Sequence, residues 1–172
     1  MSLYNHMANK DELLSRMVDH VAAQIDTPPS GAPPLDALRA TAISTHDVLV
    51  DHPWAPELWL RHVPGPERSR VMDDLLRLFD DSGLSPELAH HGFHAVNNHV
   101  VGYTLQQLGM GLDDTDDDLQ SMARDYMESL PVDTYPHMVA HVRQHLDGDT
   151  ASSFELVLDL IIDGLVRLDQ QP

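Results

Sequence analysis

Apolar residues recur every three or four positions along almost the whole chain, and no alternating run bounded by turns reads as a strand. The pattern predicts an all-α protein. Asn9 followed by Glu12 has the form of a capping box, with an amide in place of the usual hydroxyl. It opens a helix to about Ile25 with Leu13, Leu14, Met17, Val18 and Val21 on its apolar side. The stretch DTPPSGAPP (Asp26 to Pro34) breaks that periodicity and is the best linker candidate. Further helices are expected from Leu35 to Val50, Pro53 to Leu60, Glu67 to Asp81, Pro86 to Leu108 behind a capping Ser85, 116 to 130, Pro136 to Leu146, and Ser153 to Leu168.

Two of these helices carry more than a core-facing stripe. Ala89, Phe93, Val96, Val100 and Tyr103 alternate by four and three, the spacing of a helix–helix packing seam. In the last helix Glu155, Asp159, Asp163 and Arg167 form one thin polar stripe and nearly everything else is apolar. Such a helix must be covered on most sides. A second subunit would supply the cover in a four-helix interface built from Phe93, Val96, Val100, Leu158, Ile161, Ile162 and Leu165. The alternative is the central helix of a monomer.

Composition narrows the function. The 172 residues carry 28 acidic against 10 basic side chains, a formal net charge of −18, so the chain as it stands repels phosphate. There is no cysteine, hence no disulfide or thiolate site. No apolar run approaches the ~20 residues that span a bilayer. The expectation is a soluble, cytoplasmic protein that meets no membrane. No Gly-rich phosphate loop, nucleophile elbow or HExxH motif is present, which argues against an enzyme and implies no cofactor.

The opening stretch SLYNHMANKDELL resembles the end of the DNA-binding domain of tetracycline-repressor-type regulators, where a recognition helix ending in Leu-Tyr-x-His is followed by an Asn-Lys helix start. The closing FELVLDLIIDGLVRL is similar to the final dimerisation helix of the same branch. DHPWAPELW and GLSPELAHHGFHAVNNHVVGYTLQQLG follow its ligand-binding core by order and spacing. The resemblance implies an all-α homodimer that dimerises through a four-helix bundle. Residues 1–25 would be the remnant of a helix-turn-helix domain plus its connecting helix, with the two preceding helices outside this chain, and residues 35–172 the effector-binding and dimerisation domain. It places Ser2, Tyr4, Asn5, His6 and Lys10 at positions that touch operator DNA, Tyr4 and Lys10 mainly at phosphates. Operator DNA would then be a partner of the full-length protein only.

By the same resemblance a small-molecule effector would sit among Trp59, His62, Met72, Leu75, Phe79, His94, Asn98, His99 and Tyr103, although Met72, Leu75 and Phe79 are equally well read as plain core. Tetracycline itself does not fit. In an ungapped reading from His52 to Tyr103, the metal-binding His of tetracycline-responsive members falls on Asn98, a drug-contacting His on Trp59 and a contacting Asn on Asp74. The twelve histidines leave two other readings open. His137, His141 and His145 recur by four, as do His90 and His94 beside His91, and i,i+4 imidazoles can bind zinc or nickel. A polar helix face is the commoner explanation, so no metal site is assigned. The alternatives to an effector-responsive repressor are therefore a metal-binding helical protein and a headless ligand-binding and dimerisation module.

Overall fold

Proline and side-chain caps set where the helices begin. In the computed structural model, residues 9–29, 31–110, 121, 124–126, 128–146 and 154–170 are described, and among them there are helices and turns but no strand. The main helices are α1 (Lys10–Ala22), α2 (Pro34–Asp51), α3 (Ala55–Arg61), α4 (Pro66–Asp81), α5 (Pro86–Met110), α6 (Pro136–Leu146) and α7 (Phe154–Asp169). Four of them, α2, α4, α5 and α6, start on a proline, whose missing N–H costs nothing in the first turn. Asn9 caps α1 as expected, its Oδ1 accepting the Glu12 N–H at 2.8 Å. That helix stops at Ala22, earlier than the sequence suggests, because Gln24 and Ile25 donate to carbonyls three residues back rather than four. Of the helix expected from 116 to 130, residues 121, 124–126 and 128–129 are described and helical, and 116–120 lie outside the described residues.

The chain divides into two compact units, residues 1–105 with 154–172, and residues 106–153. In the first, α1 packs against α2, α3 and α4, and α2 against α4 and α7. Loop 26–33 thus joins two helices that touch, and the Asp26 N–H donates to Ser44 Oγ of α2 at 2.9 Å. Val18, Val21 and Ala22 face this core from α1, whereas Met17 is exposed, so the inner stripe lies slightly further round the helix than its apolar residues suggest. Inside α2 and α5, Thr41, Thr45 and Thr104 are buried at no cost in unpaired hydroxyls, since each bonds the carbonyl four residues back. In the second unit, Val139 and Val142 of α6 are buried.

The seam on α5 packs within the chain itself. Ala89, Phe93, Val96 and Val100 are buried, and at Gly92 three helices converge: a Cβ there would sit 2.7 Å from Phe79 Cε1 of α4 and 2.8 Å from Leu165 Cδ1 of α7. On α7, Phe154, Leu158, Ile162 and Leu165 turn into the core. Six of the seven residues expected at a subunit interface are therefore occupied in this core, and only Ile161 is half-buried. The outward face of α7 carries Leu156, Leu160 and Leu168, which are 58%, 63% and 53% exposed. Both faces of α7 are apolar, so sequence periodicity alone did not tell them apart.

The Gly92 convergence leaves no room for a methyl group. Gly92→Ala is expected to destabilise the protein by about 1–3 kcal/mol, the usual cost of overpacking. Urea unfolding followed by circular dichroism measures it, and an unchanged midpoint would contradict the close approach.

Candidate functional site

A cluster of rings forms where α2, α5 and the start of α7 meet. His46 of α2 and His99 of α5 lie nearly parallel to the Phe154 ring, with centroids 4.1 and 4.7 Å away and interplanar angles of 20° and 12°. Tyr103 of α5 stands edge-on to all three, at 5.7 Å from His46, 5.6 Å from His99 and 5.4 Å from Phe154. His99 and Tyr103 are four residues apart on one helix, so they project side by side. The Phe154 carbonyl can only accept, so His99 carries its proton on Nε2 and donates across 2.9 Å. His46 likewise donates from Nδ1 to Asp47 Oδ1 at 3.0 Å. The cluster thus offers flat π surfaces with polar N–H groups at their edges.

A second assembly ties α1 to α3 and α4. Arg68, buried on α4, donates to the carbonyls of Trp59 at 2.6 Å and His62 at 3.0 Å, and its guanidinium lies 4.5 Å from the centre of the Trp59 ring. Burial pushes its pKa below the ordinary arginine value, opposed by the nearby Asp19 carboxylate. Arg68 Nε has no hydrogen-bond partner among the described residues. Asp19 of α1 accepts the backbone N–H groups of Glu67 and Arg68, at 3.2 and 2.9 Å, and so caps α4 from another helix. Gly65 is required at that cap, because a Cβ would lie 2.5 Å from Asp19 Cγ.

A third contact anchors α7. Arg39 of α2 donates from Nε and Nη2 to the two carboxylate oxygens of Asp159, at 2.6 and 3.2 Å, and from Nη2 to Glu155 at 2.8 Å. These bonds hold the Asp159 carboxyl below its usual pKa and the Arg39 guanidinium above its own. Half of the polar stripe on α7 is thereby paired within the chain. Beside Arg39 opens a groove of about 710 Å³ with Asp26, Asp36, Asp47 and Asp51 on its walls.

The nine residues expected at an effector site separate into groups. His99 and Tyr103 belong to the ring cluster; Trp59, and His62 through its carbonyl, belong to the Arg68 joint. Leu75 and Phe79 are buried in the core and Met72 is half-buried against it. His94 and Asn98 are exposed on α5, His94 with its ring 4.8 Å from that of His90. Sequence reasoning missed His46, Phe154 as a ring-cluster member, Arg68 and Asp19. The only signal for His46 was a lone histidine on an otherwise buried helix face, which is common. Of the expected DNA contacts, Lys10 is exposed in the first turn of α1, while Ser2, Tyr4, Asn5 and His6 lie outside the described residues. His137 and His141 are exposed on α6, the His145 side chain is not described, and among the described residues no three metal-ligating side chains converge.

Residues 31–168 match the sequence profile of the family described as "Tetracyclin repressor-like, C-terminal domain", well over half of the chain. The chain belongs to the tetracycline-repressor family. Solved structures agree. Apo ActR from Streptomyces coelicolor is 26% identical with a TM-score of 0.77, the match covering 96% of this chain and 78% of that one. ActR in complex with actinorhodin is 27% identical with a TM-score of 0.77, covering 98% and 81%. Another tetracycline-repressor-type regulator of Streptomyces coelicolor, 24% identical with a TM-score of 0.78 over 98% and 82%, shares the fold. Among curated proteins no sequence match is found. The helical architecture is that of the effector-binding domain of tetracycline-repressor-type regulators, and among the described residues no helix is long and apolar enough to cross a membrane.

The Arg39 contact makes stability depend on pH in a defined direction. The folded-state pKa of Asp159 is depressed, so its contribution is present above the ordinary carboxylate value of about 4 and lost as pH falls through the lowered one. Because the pair is half-exposed, salt screens it. Arg39→Met is expected to melt lower than wild type at pH 7 and to lose less stability between about pH 5 and pH 2. Parallel acid limbs in a pH series of thermal melts would refute the pairing.

Proposed function

We propose that this chain is the effector-binding and dimerisation part of a ligand-responsive transcriptional repressor. The observation that carries this reading is the ring cluster of buried His46 and Phe154 with half-buried His99 and Tyr103, which gathers ring faces and imidazole N–H groups, now bonded to Asp47 and the Phe154 carbonyl, between three helices. ActR, the similar regulator, is crystallised in complex with actinorhodin and with (S)-DNPA, which supports a small-molecule effector here too. In this reading, effector binding changes how α1 is held, and α1 leads into a helix-turn-helix head whose recognition helix ends at Ser2, Tyr4, Asn5 and His6. Operator DNA is then bound without effector and released with it, a coupling that works equally in both directions.

The protein works as a homodimer in this reading, with the outward Leu156, Leu160 and Leu168 of α7 covered by a second copy. Leu160→Glu is expected to give a monomer in analytical ultracentrifugation at micromolar concentration where wild type is dimeric. A wild-type monomer, or a Leu160→Glu dimer, would remove that face from the assembly.

Regulation itself is tested with protein carrying the complete helix-turn-helix head and DNA from upstream of its own gene. A small molecule at one hundred times its Kd stabilises the native state by about 2.7 kcal/mol, so thermal shift on the present chain identifies ligands. Such ligands should release the DNA in a mobility-shift assay. Stabilising ligands that leave the DNA complex intact would sink the regulatory half of the reading.

A further inference from the structure

Phe154 differs from the other inward residues of α7. Leu158, Ile162 and Leu165 follow it at helical spacing into the main core, with Leu165 reaching the Gly92 convergence beside Phe79. The Phe154 ring instead lies among other rings, with two imidazoles nearly parallel to it and a phenol edge against it. Stacked and edge-on contacts of this kind are the ones that a flat aromatic ligand also makes with protein rings. Phe154 is also the first residue of α7, where the backbone N–H has no partner inside the helix, so the ring can leave without breaking an interior turn.

Resting on the effector reading above, we infer that Phe154 is a placeholder in the effector site, and that an uncharged planar aromatic compound bearing a hydroxyl or carbonyl takes its place against His46 and His99. The cluster selects this chemistry. Phe154 is 7% and His46 9% exposed, and burying a formal charge there would be costly. The charged group at the cluster, Asp47, is already engaged by His46 Nδ1. Where the first turn of α7 opens with the departing ring, His99 Nε2–H, now spent on the Phe154 backbone carbonyl, becomes a donor to an oxygen on the ligand ring. Arrival of the ligand is felt at once on the first turn of α7, because Glu155 beside Phe154 holds Arg39 of α2 and Leu156 is on the outward face.

The test uses this chain and 2-naphthol, a neutral two-ring compound with one hydroxyl. Its affinity is measured by titration calorimetry for wild type, Phe154→Ala and Phe154→Trp, together with the imidazole C–H signals in NMR spectra. Phe154→Ala, whose slot is vacant, is expected to bind at least tenfold tighter than wild type, and Phe154→Trp at least tenfold weaker. The signals of His46 and His99, assigned through His46→Gln and His99→Gln, should shift while those of His137 and His141 stay. Three equal affinities, or shifts confined to other histidines, would overturn the proposal. If circular dichroism shows Phe154→Ala unfolded, Phe154→Leu replaces it, and an affinity no tighter than wild type counts against the placeholder. The outcome is independent of the regulatory reading: failed DNA release leaves the tenfold difference untouched, and equal affinities leave open an effector bound elsewhere that releases DNA.

Discussion

A guanidinium buried between three helices organises one end of this domain. Removing a cation from water costs several kcal/mol, and here the cost is offset by a set of groups converging on Arg68. The C-terminal carbonyls at Trp59 and His62 lie at the negative end of α3, the Trp59 ring face carries negative potential, and the Asp19 carboxylate sits close by. Those groups come from α1, α3 and its following turn, so none of these elements can shift independently without leaving charge unpaired. Asp19 binds twice over, since the carboxylate near the guanidinium also accepts the first N–H groups of α4. Gly65 follows from the same demand, because only a residue without Cβ lets the carboxylate approach that closely.

This joint gives the proposed coupling a physical carrier. A ligand moves a distant element only by favouring one of two discrete arrangements of the parts between. In that proposal, the bonds from the Glu67 and Arg68 N–H groups to Asp19 would carry a displacement of α4 to α1. The ring cluster reaches the same assembly through α2, which packs against α4 as well as α7. No continuous wire of polar contacts is needed. What matters is that α2 is shared: its His46 is in the ring cluster, and it also packs against the helix that Arg68 belongs to.

Most of the helices could be read from the sequence because their ends are written locally. Pro66, Pro86 and Pro136 stand at first positions and Asn9 supplies its own cap, and the expected and observed spans agree within about three residues. Faces were harder. On α5 the apolar residues fall on one seam, and Ala89, Phe93, Val96 and Val100 are indeed buried there. On α7 apolar residues surround a thin polar stripe, so periodicity has no preferred direction and could not separate Leu158, which is inside, from Leu160, which is outside. The site was read least well. Asp19 and Arg68 are 49 residues apart in the chain, and His46 is more than a hundred from Phe154, so neither pair leaves a local pattern. The effector residues expected from the resemblance put His99 and Tyr103 together with Trp59 and His62, which the structure holds in a different assembly.

The composition of α7 follows from three different surroundings along one helix. Its inward residues close the core at Gly92, two members of its acidic stripe hold Arg39 of α2, and its outward leucines stay open to solvent in the single chain. An ordinary surface helix needs only the first of these and would carry charge on its far side. The core and the stripe agree on one orientation. Burial of Leu158, Ile162 and Leu165, the last packed against Gly92, sets most of it, and the two-oxygen grip of Arg39 on Asp159 adds a directional contact at the half-exposed edge. Turning α7 by one residue, about 100°, would carry Asp159 away from Arg39 and Phe154 out from between the imidazoles together. The core packing, the ion pair and the ring cluster are therefore satisfied by the same orientation, the one that leaves Leu156, Leu160 and Leu168 outward.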